Sequence, residues 1–328
     1  MSKSILVVIV GVVGLLTTGC GKKDDKASKS SEKDNKDKSK DKAKNGDKAK
    51  QDTPKQTGLD LSDAGFATPE SVLYDAEADV YLVSNINGSP FDTDGNGFVS
   101  RVSGDGKVEA LKWIDGAKDG VTLNAPKGMA LWGDKLYVSD ITTVRMFDRK
   151  TGEAKGEVAV EGSDFLNDVA ADDSFVYVSN SGLGAGFEPS GADAIYKIDK
   201  DNKVSTLIKD KALGVPNGLL AKDGTVWVVT FGTGELYPVD ADGKKGDAVK
   251  LPKGQLDGLE MSKDGRILVS SWEGSAIYAG VLGKAEFQTI AEGIDAPADI
   301  GYDSKRDLVV VPLFKKNAVK GVAATPPK

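Results

Sequence analysis

The sequence predicts an all-β fold, a six-bladed β-propeller with four-stranded blades, over residues 57–328. Three observations carry this expectation. One pattern, a short loop, an apolar run, a turn and a strongly apolar run, recurs six times. Two more strand-like runs follow each copy but the last, and Asp-Gly turn pairs lie between runs at 105–106, 223–224, 242–243 and 264–265. Four strands per repeat of 40–57 residues is blade-like, because a lone four-stranded sheet cannot cover both faces and a closed ring can.

Residues 1–19 read as a signal peptide. Ile5 to Leu16 is apolar, broken only by Gly11 and Gly14, and is short for a spanning helix of about 20 residues. The segment Leu15-Leu16-Thr17-Thr18-Gly19-Cys20 resembles the bacterial lipobox, with Thr17 where the usual pattern has Leu. That resemblance implies a lipidated Cys20 as the mature N-terminus. The chain is then expected in a bacterial cell envelope, held to the membrane by its N-terminal lipid. Gly21 favours the outer membrane if the cell is Gram-negative. Residues 20–56 have no large apolar residue and read as a disordered Lys/Asp-rich tether.

Gly58–Phe66 precedes the first copy. The last copy has three strand-like runs at most, so this segment is the candidate for its fourth strand, latching the ring. The copies span Thr68–Ile86, Ala125–Asp140, Leu166–Asn180, Val215–Thr230, Leu256–Ser271 and Ala296–Pro312. Further strands are expected at Ala194–Asp199 and Val204–Lys209 in the third repeat, and at Ser275–Gly280 and Glu286–Glu292 in the fifth.

Composition excludes several function classes. There is no histidine, so Ser-His-Asp and Cys-His catalysis and histidine metal sites are ruled out. Cys20 is the one cysteine, so no internal disulfide forms. Residues 21–56 hold 13 Lys against 8 Asp or Glu, which with Lys3 leaves a net charge of −13 on the rest of the chain. An acidic body does not suit nucleic acid, whose binding rests on Lys and Arg neutralising phosphates. It suits a cation.

Equivalent positions opening the first strand of each blade are Glu70, Lys127, Asn167, Asn217, Asp257 and Ala298. Those side chains point towards the propeller axis near one mouth. Four carry oxygens, and Ca²⁺ takes several oxygens from carboxylates and amide carbonyls. Glu70, Asn167, Asn217 and Asp257 are therefore candidate metal donors, for calcium or another divalent cation. Lys127 is the odd member. Its ammonium could hold a substrate carboxylate, stabilise an oxyanion, or pair with Glu70 or Asp257 in place of a metal.

The segments Pro69-Glu70, Asn167-Asp168, Pro216-Asn217-Gly218 and Asp257-Gly258 resemble the metal-site segments of the SMP-30/gluconolactonase family. The likeness covers roughly residues 65–315. It implies a six-bladed propeller that hydrolyses a lactone or related ester. It implies Glu70, Asn217 and Asp257 as metal ligands, Asn167 as ligand or substrate contact, and Asp257 as general base or nucleophile. The alternative is a non-enzymatic propeller lipoprotein that binds a ligand or protein. A monomer is expected.

Lesser candidates are these. Phe91–Gly97 holds half of an EF-hand-like loop without the closing Glu, and reads as a hairpin turn. With Asn180–Asp193 it forms two long insertions on one face, able to act as a lid. Phe231 and Trp272 could line a substrate pocket, but packing between blades is the favoured reading; Asp168 and Asp299 are expected outside the ligand set, and Lys305-Arg306 in a solvated turn.

Overall fold

The computed structural model describes residues 58–325. The expected signal peptide, Cys20 and the tether lie outside the described residues. Among the described residues, no helix is long and apolar enough to cross a membrane.

Six four-stranded antiparallel sheets follow one another along the chain. Blade one is Pro69–Asp75, Val80–Asn85, Phe98–Ser103 and Val108–Asp115. Blade two is Pro126–Trp132, Lys135–Asp140, Thr143–Asp148 and Ala154–Ala159. Blade three is Leu166–Ala171, Val176–Asn180, Ala194–Ile198 and Val204–Lys209. Blade four is Pro216–Lys222, Thr225–Thr230, Glu235–Val239 and Val249–Lys250. Blade five is Leu256–Met261, Ile267–Ser271, Ala276–Gly280 and Phe287–Glu292. Blade six takes Gly301–Asp303, Leu308–Leu313 and Ala318–Ala323 from the end of the chain and Asp60–Leu61 from its start.

The latch forms as expected. Asp60 and Leu61 pair with Lys320 and Val319. Leu59 and Phe66 beside it are buried with Val72, Tyr81, Val310 and Val319, so blades six and one share a core. The other interfaces are built alike, from the apolar faces of consecutive blades. Second strands such as Tyr81-Leu82-Val83 and Val309-Val310-Val311 are buried on both faces, which explains their continuous apolar runs. The Asp223-Gly224 turn has φ of 51° and 75°, the left-handed pair a two-residue hairpin requires.

Lys305 is exposed as expected of a solvated turn, but Arg306 is tied into the fold. The Arg306 guanidinium grips Asp79 of blade one with both Nη atoms, at 2.7 and 2.9 Å, and Asp303 of blade six at 2.9 Å. Lys305 also pairs with Asp79, and the Tyr81 hydroxyl donates to the fully buried Asp303. A turn at the seam where the ring closes has opposite charges brought to it by the neighbouring blade.

The first strands ring the axis, and their opening carries an irregularity. Pro69, Pro126, Leu166, Pro216 and Leu256 each pair with the last residue of the second strand, and pairing resumes three residues later with the register shifted by one. Pro297 pairs with Leu313 in the same way in blade six. Such a bulge re-aims side chains. Here it falls on the two residues after each opening one, the first of which is Glu70, Lys127, Asn167, Asn217, Asp257 or Ala298.

Serines fill the gap the bulge opens. Ser84, Ser179 and Ser270, at one position of the second strand, accept the orphaned N–H groups of Ser71, Asp168 and Gly258 at 2.8–2.9 Å. Ser179 and Ser270 donate onward to the carbonyls of Asn217 and Ala298 in the next blade, each at 2.8 Å, and Ser139 donates to that of Asn167. A hydroxyl both donates and accepts, so one atom repairs its own blade and fixes the neighbour.

Candidate functional site

All six ring side chains are buried: Glu70, Lys127, Asn167, Asn217, Asp257 and Ala298 are each exposed by 7% or less. The connections that deliver them are tied down by the end of the second strand. Asn85 Oδ1 accepts from Ala67 N at 2.9 Å, Asp140 Oδ1 from Asn124 N and Ala125 N, and Asn180 Oδ1 from Asp164 N and Phe165 N.

Backbone strain marks the same places. Thr68, Val215, Gln255 and Ala296 have φ of 52°, 61°, 50° and 48°. They stand two residues before Glu70, Asn217, Asp257 and Ala298. Positive φ is costly for any residue with a Cβ, and most for the β-branched Thr68 and Val215. In return their carbonyls accept the N–H of Ile86, Phe231, Trp272 and Phe314 at 2.9–3.2 Å.

Three of the four expected donors hold an oxygen that is buried and has no hydrogen-bond partner: Glu70 Oε2, Asn217 Oδ1 and Asp257 Oδ1. Asn167 is placed differently. Its Nδ2 donates to Ser181 Oγ at 3.1 Å, which fixes the amide plane. The second oxygen of Asp257 accepts the Trp272 indole N–H at 2.7 Å. Among the described residues, no three His, Cys, Asp or Glu side chains are placed to hold a metal ion. Any such site must use the amides.

Lys127 makes its hydrogen bonds outside the donor set. Its ammonium donates to Ala125 O at 3.1 Å and Pro90 O at 3.4 Å and lies 4.5 Å from the centre of the Phe165 ring. Among the described residues no ion pair joins it to Glu70 or Asp257. Burial pushes its pKa down to about 8, against the nearby charges of Glu70 and Asp140.

One residue deeper lie Asp168 and Asp299, on opposite blades three and six. Asp168 Oδ1 accepts from Val169 N and its Oδ2 reaches across to Leu219 N of blade four, both at 2.6 Å. Asp299 Oδ2 accepts from Ser71 Oγ of blade one. Small neighbours make room for both: a Cβ on Gly128 would lie 2.3 Å from Asp168 Oδ1, and one on Gly258 would lie 2.8 Å from Asp299 Oδ1. Both carboxylates thus join blades. Beneath them is a cavity of roughly 270 Å³ lined from all six inner strands, with Glu260 on its wall.

The electrostatics follow from crowding. Burial, then the charges of Asp257 and Asp299, hold Glu70 well above the usual carboxylate range. Burial and Asp299 do the same to Asp257, opposed by the Trp272 and Asn217 side chains. Burial lifts Asp168 likewise, with Asp299 adding to it, and lifts Asp299 to about 7. Burial and the Asp299 charge carry Glu260 to about 8. Five carboxyls share one channel with a single ammonium, so crowding favours their protonated forms, and a cation bound there would favour the charged ones.

Two aromatic groups flank the ring. Trp272 packs on Phe231 at 5.6 Å and on Phe314 at 5.2 Å. Phe91 and Phe187, from the two long insertions, meet over Phe165 at 4.9 and 6.2 Å. Trp272 and Phe231 therefore pack between blades as expected, and Trp272 touches Asp257 as well. Sequence reading missed that contact, Phe314 and the serines. The serines had a signal, the Val-Ser that ends four second strands.

No protein-family model matches the chain, and no curated protein matches it. Solved structures do. A protein described as a "putative gluconolactonase" is 17% identical, with a TM-score of 0.60 over 82% of this chain and 94% of that one. A streptogramin B lyase is 11% identical, with a TM-score of 0.53 over 77% and 92%. A chain of a nidogen/laminin complex is 16% identical, with a TM-score of 0.54 over 67% and 79%. At these identities the likeness is one of fold, and with the six closed sheets it sets this chain among the six-bladed β-propellers.

Proposed function

We propose that this propeller is a divalent-cation-dependent hydrolase, with calcium the favoured ion, acting on a lactone or related ester at the mouth ringed by Glu70, Asn167, Asn217 and Asp257. One observation carries the reading: among the described residues, three of these four, on blades one, four and five, bury an oxygen with no hydrogen-bond partner of good geometry. Leaving a buried acceptor unpaired costs about 1–3 kcal/mol each. A hard cation would satisfy all three, and two carboxylates with two amides are suitable oxygen donors. When bound, it would act as a Lewis acid towards an ester carbonyl.

The chain's own groups have separable roles. The Trp272 N–H orients Asp257 by holding Oδ2, and that carboxylate takes a proton from water. The water oxygen bonds to the carbonyl carbon, the acyl C–O bond breaks, and the proton passes to the leaving oxygen. Lys127 spends two of its three N–H donors on carbonyls and keeps one for the oxyanion. The aromatic groups exclude water from the mouth.

The test uses the full chain in detergent, a lactone and ester panel followed by acid release, and calcium against chelator. Calcium-dependent turnover that Asp257→Ala abolishes is expected. Calcium binding with no turnover across the panel would instead favour a non-enzymatic binding propeller, the reading that the nidogen/laminin neighbour supports. The lipobox-like segment adds a further proposal, that Cys20 carries lipid and displays the propeller from an envelope membrane.

A further inference from the structure

Above the ring of buried donors lies a second ring, formed by the residue that follows each second strand: Ile86, Ile141, Ser181, Phe231, Trp272 and Phe314. Five of these occupy equivalent places by their backbone: Ile86 N, Ser181 N, Phe231 N, Trp272 N and Phe314 N donate to Thr68 O, Phe165 O, Val215 O, Gln255 O and Ala296 O at 2.9–3.2 Å. Five of the six are apolar. Ser181, the polar one, is spent, because its hydroxyl donates to Pro216 O at 2.7 Å and accepts from Asn167 Nδ2.

Phe231, Trp272 and Phe314 come from blades four, five and six and form one continuous wall. All three are only half-buried. The wall is joined to the reacting end, since the Trp272 N–H holds Asp257. On the other flank Phe187, 44% exposed, extends the Phe91–Phe165 pair into solvent.

We infer that the substrates are lactones or esters carrying an aromatic ring beside the carbonyl, and not polyhydroxylated sugar lactones. This rests on the hydrolase reading for the reaction, and on the aromatic wall for the ligand. A flat ring gains stacking and edge contacts against Phe231, Trp272 and Phe314. A sugar lactone would lose water from its hydroxyls against a ring with no free donor or acceptor, and unpaired polar groups oppose binding.

The experiment compares dihydrocoumarin with glucono-1,5-lactone on the full chain in calcium. In parallel, calorimetry measures binding of their ring-opened products, 3-(2-hydroxyphenyl)propanoate and gluconate. A kcat/KM at least about tenfold higher for the aromatic lactone is expected. Phe231→Ala and Phe314→Ala should each raise its KM several-fold, with their folds checked by circular dichroism. Preference for the sugar lactone would overturn the inference and leave the hydrolase reading standing. Aromatic product bound at least tenfold tighter, with neither lactone turned over, would sustain the ligand class and sink the hydrolase. If neither lactone reacts and neither product binds, both fall.

Discussion

Trp272 Nε1 donates a 2.7 Å hydrogen bond to Asp257 Oδ2, while Oδ1 of the same buried carboxylate has no partner. One oxygen is held and the other is left over. Trp272→Phe keeps the ring and deletes the donor. Without metal, burial favours the neutral Asp257 carboxyl, and an ordinary hydrogen bond contributes about 0.5–1.5 kcal/mol, so the variant should lose about that much stability in chelator. The tryptophan also lowers the Asp257 pKa, so the variant's pH–rate profile should move to higher pH. An unchanged profile would remove Trp272 from the positioning of Asp257.

Calcium should stabilise the protein. At a hundredfold excess over Kd a ligand adds about 2.7 kcal/mol. For a domain of this size that is roughly 5–10 °C in melting temperature. Asp257→Ala and Asn217→Ala should each reduce the shift. A melting temperature indifferent to calcium in the parent protein would remove the metal from the proposal.

The pH dependence in chelator follows from the raised carboxyls. Burial lifts Asp299 to about 7 and, with the Asp299 charge, Glu260 to about 8, whereas an unfolded chain titrates them near ~4. The folded state therefore binds these protons more tightly. Their contribution is complete below about pH 4 and is lost as pH rises towards 7 and 8. Melting temperature measured in chelator should fall between pH 5 and pH 8. A flat or rising curve would contradict the burial assigned to these groups.

Ser179 accepts from Asp168 N at 2.9 Å and donates to Asn217 O at 2.8 Å. Ser179→Ala leaves both buried groups unpaired and should cost about 1–3 kcal/mol in chemical denaturation. It should also weaken calcium binding, because Asn217 loses its brace. Blade four, with Val229 at this position, shows that a blade forms without the hydroxyl, so the variant is expected to fold.

Arg306→Ala breaks the clasp between blades six and one and leaves the buried Asp303 without its cation, held only by the Tyr81 hydroxyl and backbone N–H groups. Breaking a buried pair costs 3–5 kcal/mol, and the partial exposure of Arg306 sets the expectation at about 3 kcal/mol. Limited proteolysis should then cut first near the Asp60–Leu61 latch. Cleavage at another blade boundary would place the weakest seam elsewhere.

Much of this molecule was legible in one dimension. The repeat spacing identified six blades, because each blade must bury the same two faces and so repeats the same apolar pattern. Counting from that pattern selected Glu70, Lys127, Asn167, Asn217, Asp257 and Ala298, all of which the fold brings to equivalent bulged positions around the axis. The short run before the first blade showed itself as the latch because the last copy was one strand short.

What each side chain faces was decided by tertiary structure alone. Lys127 turns to Ala125 O and the Phe165 ring, and Arg306 reaches beyond its own turn to Asp79. Ser71 and Asp299 meet across 228 residues, and Arg306 and Asp79 across 227. Periodicity reports only which face a residue occupies. Its hydrogen-bond partners belong to the neighbouring blade, and closing the ring sets which blade is the neighbour.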